Sequence, residues 1–184
     1  LVAIETAAQP RDIPIVDRDT GRVLSVLAGD RHRIVEVGTA YGYSTLWMAL
    51  GQPADGTIVT IDPDRERTDL ARGWWREAGV GDERITVVGA KALEAFAAPD
   101  PALAGPFDMA FIDALKPEYQ AYLDALTDGR LARGALVAAD NVLWSGRVAR
   151  SQAGEPGGVN TDALRRFCER VLADERFTST ILPV

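Results

Sequence analysis

Four side chains with chemical capability fall at two places late in the chain. Asp113 and Lys116 lie in Phe111-Ile112-Asp113-Ala114-Leu115-Lys116, and Asp140 and Asn141 close Ala138-Ala139-Asp140-Asn141. Two carboxylates and an amide oxygen, with no thiolate or imidazole beside them, form a hard donor set. Such a set favours magnesium, manganese or calcium over zinc or copper, and three protein donors leave coordination positions open. Lys116 follows Asp113 by three residues, which brings its amine near enough to act as a general base if burial and a neighbouring cation depress its pKa. Each residue taken alone has a simpler role: the aspartates as caps after strands, Asn141 as a turn residue, Lys116 as a solvated first-turn lysine. The chemical role requires both runs to end at one edge of one sheet.

The pattern of elements predicts that they do. Short apolar, β-branched runs recur at residues 33–37, 57–61, 84–88, 107–112, 135–139 and 177–182, each the length of a buried strand. Segments with helical spacing lie between them at 44–50, 64–78, 92–97, 117–126 and 161–174, and another precedes the first strand at 17–27. Asp64 is placed to N-cap its helix, Gly79 to end it in a left-handed turn, and Pro117 suits a first helical turn. Regular alternation of this kind implies an α/β fold, a mostly parallel sheet with right-handed crossovers and helices on both faces. Ligands in such sheets sit at the carboxyl ends of the strands. Residues 145–159 are rich in glycine and polar side chains and read as a long loop, either a binding loop or a plain excursion.

The first strand leads into Glu36-Val37-Gly38-Thr39-Ala40-Tyr41-Gly42-Tyr43-Ser44, where glycines allow a tight turn and close approach to a ligand before a helix begins. The spacing is G-x-x-x-G, which disfavours a nicotinamide dinucleotide, whose pyrophosphate needs the denser G-x-G-x-x-G. The second strand ends at Asp62, where a carboxylate can accept hydrogen bonds from the hydroxyls of an adenosine ribose or cap a loop beside Pro63. Glu36, on a strand that must be buried, either is satisfied by backbone N–H groups or meets the ammonium of a cofactor.

The phrase EVGTAYGYST resembles class I S-adenosylmethionine methyltransferases, and specifically the metal-dependent catechol and caffeoyl-coenzyme-A O-methyltransferases. The resemblance runs from Ile13-Pro14-Ile15-Val16, through Gly89-Ala90 and the D-x-x-K and D-N motifs, to Ile181-Leu182-Pro183-Val184. It implies a Rossmann-like methyltransferase sandwich with S-adenosylmethionine contacts at Val16, Glu36, Gly38, Ser44, Asp62 and Ala90. Asp113 would stand near both the cofactor and a divalent cation, magnesium ahead of manganese or calcium, held with Asp140 and Asn141. The ion would chelate both oxygens of a catechol-like acceptor and lower the pKa of the reacting hydroxyl, with Lys116 as base. Lys116, Asn141 and Trp144 would contact the acceptor, Trp144 as an aromatic wall; Tyr119, at another position where the family keeps an aromatic residue, would only pack against the sheet. Two positions depart from the caffeoyl-coenzyme-A pattern, Leu115 in place of aspartate and Ser145 in place of asparagine, which loosens any transfer of acceptor identity. Family members also add N-terminal helices that build a homodimer and a final antiparallel strand. The chain is therefore expected to be one domain, residues 1–184, trimmed at both ends.

Composition narrows the partners. The 184 residues, 47% of them hydrophobic, suffice for one core, and 20 basic against 27 acidic side chains give a charge of −7 that repels nucleic acid. Cys168 stands alone, so neither an intrachain disulfide nor a cysteine-rich zinc site forms, consistent with the cytoplasm. No apolar run reaches the length of a membrane span. His32, before the first strand, reads as a surface residue, and on the 64–78 helix Trp74 is expected in the core with Trp75 exposed or facing a second subunit. Three rivals stay open at this point: a metal-independent methyltransferase, a catalytically silent S-adenosylmethionine-binding module, and a nicotinamide-dependent oxidoreductase.

Overall fold

The computed structural model describes residues 1–152 and 157–183. Five strands, β1 (Arg33–Val37), β2 (Thr57–Ile61), β3 (Ile85–Val88), β4 (Phe107–Ile112) and β5 (Leu131–Ala139), form one sheet in the order β3-β2-β1-β4-β5. Every pairing is parallel. The direction of chain progression reverses between β1 and β4, which opens a crevice at their carboxyl ends. Register brings the chemical runs together there: Val37 pairs with Ile112 and Ile112 with Ala139. The next residues continue the ladder, Asp113 N–H donating to Val37 O at 2.9 Å and Asp140 N–H to Ile112 O at 3.0 Å.

Side chains alternate across the sheet with period two, so each strand serves two cores. Ile34, Ile58, Ile85, Met109 and Phe111 pack on one face with Leu24, Leu46, Met48 and Trp75. Val35, Val37, Val59, Ile61, Ala110 and Ile112 pack on the other with Phe96, Tyr119, Tyr122, Leu126 and Phe167. The first face is covered by α1 (Val2–Ala8), α2 (Arg18–Leu27), α3 (Tyr43–Gly51) and α4 (Arg65–Glu77). The second is covered by α5 (Ala92–Ala97), α6 (Tyr119–Thr127), α7 (Arg147–Gln152) and α8 (Val159–Ala173). Asp64 caps α4 by accepting from Arg67 N–H at 3.1 Å, Gly79 follows that helix at φ +82°, and Pro117 lies in the 3-10 turn Lys116–Glu118 that leads into α6.

Four expectations need correction. Residues 177–182, read as a sixth strand, pair with no strand and are largely exposed, including Ile181 and Leu182. Their apolar and β-branched residues mark a segment able to form a strand, but a strand also needs ladder hydrogen bonds to a neighbour, and these residues have none among the described pairings. Strand β5 begins four residues earlier than expected: its register jumps from Phe107↔Leu131 to Met109↔Leu136 around Gly134 at φ +78°, an irregularity that absorbs the extra residues. The stretch read as a loop holds the helix α7, whose Val148 is buried; residues 153–156 of that stretch lie outside the described residues. The tryptophans are exchanged. Trp75 is 3% exposed and continues the buried Thr68 and Ala71, while Trp74 is partly buried against the Tyr41 ring at 5.3 Å. The expected stripe started from Leu70, which is exposed; a polar threonine in fact sets the buried face. His32 is at the surface, 3.4 Å from Asp55. Among the described residues no helix is long and apolar enough to cross a membrane.

Candidate active site

The turn after β1 is shaped by close approach. At Gly38, φ +102°, a Cβ would stand 2.1 Å from the main-chain oxygen of Asp113, so only glycine lets the tips of β1 and β4 lie this close. At Gly42, φ +70°, a Cβ would strike the Trp75 indole, whose Nε1–H donates to Gly42 O at 2.9 Å. Between them Ala40, also left-handed at φ +46°, donates its N–H to Asp62 Oδ2 at 2.8 Å, while Asp62 Oδ1 accepts from Asp64 N–H at 2.9 Å. Asp62 thus ties the β1 turn to the tip of β2, and each carboxylate oxygen keeps a lone pair for a ligand hydroxyl.

Glu36 is wholly buried and is satisfied by hydroxyls, where backbone N–H groups had been the expected alternative. It accepts from Ser44 Oγ at 2.6 Å, Thr45 Oγ1 at 2.5 Å and Thr60 Oγ1 at 2.6 Å. Thr39 Oγ1 lies 2.6 Å from Thr60 Oγ1 and is the donor of that pair, because the Thr60 proton goes to Glu36. Burial pushes the Glu36 carboxyl up to about 7, outweighing the three hydroxyl donors, with the charge of Asp113 adding to the rise. Thr39, Thr45 and Thr60 escaped the sequence reading. Thr60 had a signal: it is the polar member of an apolar strand, and it pairs in register with Glu36.

At the tips of β4 and β5 the structure assembles Asp113, Lys116 and Asp140. Lys116, its side chain only 10% exposed, donates from Nζ to Asp113 Oδ1 at 2.6 Å and to Tyr119 Oη at 2.8 Å. Tyr119 in turn donates to Asp140 O at 3.2 Å. The Asp140 carboxyl is held above the usual range by burial first and by the negative Asp113 second, with Asn141 N–H, 2.6 Å from Oδ1, and Lys116 acting against them. Tyr119 is shifted upward by burial and by the charges of Asp113 and Asp140, and so keeps its proton. Asn141 is exposed in the left-handed region at φ +59°, and its side-chain amide makes no hydrogen bond among the described residues. Trp144 and Ser145 follow at φ +46° and +52°. Three non-glycine residues in this region so close together concentrate backbone strain beside the site, a feature composition does not reveal.

This donor set fits a hard divalent cation: two carboxylates at adjacent strand tips, the negative charge of Asp113 raising the Asp140 carboxyl, and an exposed amide beside them. Among the described residues no three His, Cys, Asp or Glu side chains cluster as a metal site. Of the remaining predicted residues, Ser44 directs its hydroxyl to Glu36, and Val16 is buried in the core just before Asp17, the N-cap of α2. Ala90 follows β3, its N–H donating to Val88 O at 3.0 Å, and Trp144 lies partly buried beyond Asn141. Among the described residues no hydrogen bond links Val16, Ala90 or Trp144 to the side chains of the Asp113 centre.

A parallel sheet with its switch point between β1 and β4, a glycine turn after β1 and a carboxylate at the tip of β2 define a Rossmann-like α/β fold with a nucleoside-binding edge. The O-methyltransferase family model matches residues 2–184. Catechol O-methyltransferase of Niastella koreensis is 35% identical over 170 residues, 91% of this chain and 74% of that protein. Catechol O-methyltransferase of Mycobacterium tuberculosis is 39% identical over 152 residues, 80% of this chain and 65% of that protein. The O-methyltransferase TomG of Streptomyces achromogenes, solved in complex with SAM, superposes with a TM-score of 0.80 at 31% identity, over 95% of this chain and 78% of that one. The chain belongs to the O-methyltransferase family and is an S-adenosylmethionine-dependent O-methyltransferase.

Proposed function

We propose that the enzyme methylates one hydroxyl of a small vicinal dihydroxy aromatic molecule, with Asp113, Asp140 and Asn141 holding a divalent cation, magnesium before manganese or calcium. The observation that carries this reading is the meeting of Asp113, Lys116 and Asp140 around the Tyr119 hydroxyl, against the Gly38 turn. When bound, such a cation lowers the pKa of a chelated hydroxyl and fixes it before the methyl donor. Asp62 accepts the ribose hydroxyls, and Val16, Glu36, Gly38, Ser44 and Ala90 enclose the rest of S-adenosylmethionine. Ionised Glu36 balances the ammonium of the donor. Lys116 acts as the base that takes the hydroxyl proton; the acceptor oxygen attacks the methyl carbon in line, and the C–S bond breaks with its electron pair passing to sulfur. Trp144 lines the acceptor, and the low pI opposes binding to nucleic acid or an anionic membrane. We place the enzyme in the cytoplasm as a homodimer.

The test is a methyl-transfer screen over dihydroxylated and monohydroxylated aromatics, with magnesium and after stringent chelation. Transfer to the vicinal diols alone, lost on chelation and restored by magnesium, is expected. Undiminished methylation of a catechol after chelation overturns the metal reading.

A further inference from the structure

Tyr119 has the surroundings of a core residue: it is fully buried, and its ring meets Phe167 edge-on at 5.5 Å between centroids. Phenylalanine would serve that packing, and a buried hydroxyl costs free energy unless it is bonded. The Tyr119 hydroxyl is bonded on both sides. Its single proton goes to Asp140 O at 3.2 Å, which leaves its lone pairs to receive Lys116 Nζ at 2.8 Å. The same amine reaches Asp113 Oδ1 at 2.6 Å. One hydroxyl therefore joins the tip of β4, the turn before α6 and the tip of β5.

We infer that Tyr119 is a positioning residue, whose hydroxyl keeps the Lys116 amine beside Asp113 and anchors the main chain of the Asp140-Asn141 pair. The inference rests on the proposed function, in which Lys116 takes the acceptor proton and the pair binds the cation. Without the hydroxyl, the amine keeps one of its two partners, and the left-handed turn at Asn141 loses the anchor on the preceding carbonyl.

The test is Tyr119→Phe in the full chain, which retains the ring. Calorimetric titration with S-adenosylhomocysteine is expected to stay within about twofold of wild type, and this checks that the variant folds. Manganese affinity, read by paramagnetic resonance without acceptor, should weaken about three- to tenfold. Turnover should fall about tenfold, as for loss of one hydrogen bond to a charged group, with KM for S-adenosylmethionine unchanged. With the metal ion saturating, so that the weakened anchor on Asp140-Asn141 is not limiting, adding Tyr119→Phe to Lys116→Ala should cost little more turnover than Lys116→Ala alone, because the remaining effect of the hydroxyl acts through the amine. Wild-type turnover and manganese affinity in Tyr119→Phe would reduce the residue to packing and overturn the inference, as would full additivity with Lys116→Ala. A wild-type enzyme that binds no manganese, or a Lys116→Ala variant with full turnover, sinks the functional reading and the positioning role with it.

Discussion

Replacing Glu36 with glutamine isolates the cost of a buried charge. The side chain is wholly enclosed, and burial lifts its pKa from 4.5 to about 7 against three hydroxyl donors. In the unfolded chain the carboxyl releases its proton near pH 4.5, whereas the folded protein holds it until about pH 7. Between those values the folded state binds more protons, so stability is greatest below pH 4.5 and declines as pH rises toward 7. A rise of about 2.5 pKa units corresponds to about 3 kcal/mol lost across the window. Glutamine keeps the shape and does not titrate. Urea unfolding of wild type and Glu36→Gln from pH 4.5 to 8 should therefore show the difference in stability moving by about 3 kcal/mol in favour of the variant, with the other titrating groups cancelling. A difference that stays flat to within about 0.5 kcal/mol would refute the reasoning, because the carboxyl would then be ionised throughout, its hydroxyl donors outweighing burial. The charge has a functional readout as well: binding of the cofactor ammonium should favour ionised Glu36, so wild-type affinity for S-adenosylhomocysteine rises through pH 7 while that of the variant does not.

Three further outcomes are expected. Lys116→Ala should lower turnover on the order of 100-fold while calorimetric affinity for S-adenosylhomocysteine stays within about twofold; unchanged turnover removes the residue as base. Gly38→Ala places a Cβ 2.1 Å from Asp113 O at φ +102°. The conformation alone costs about 1–2 kcal/mol and the β1 and β4 tips must also part, so urea unfolding should show a larger loss, with cofactor binding weakened at least about tenfold. Near-wild-type values would mean that the tips are slack. Trp75→Phe removes the indole donor from the Gly42 carbonyl, which keeps the Leu46 N–H at 3.0 Å, and should cost about 1 kcal/mol in thermal or urea unfolding; no loss would show that water takes the place of the indole.

Much of the fold was legible because its determinants are local. Short apolar, β-branched runs located β1, β2 and β4 to the residue, Asp64 and Gly79 marked the ends of α4, and the alternation of strand and helix implied a parallel sheet. The types of Asp113, Asp140 and Asn141 defined a hard donor set without reference to any coordinate. The remainder depended on contacts between residues far apart in the chain. Whether residues 177–182 form a strand turns on pairing with another strand, a property of the assembled sheet. Which tryptophan is buried turned on a threonine whose face is set by what α4 packs against. The hydroxyl cage of Glu36 draws on β2 and α3, and only folding brings Thr60 beside a carboxylate 24 residues earlier. The bond from Tyr119 to Asp140 likewise spans 21 residues. The sequence by itself settled which groups are available and at which strand ends they lie. Only the tertiary structure decided what each group is bonded to, because hydrogen-bond partners and burial depend on elements brought together from distant parts of the chain.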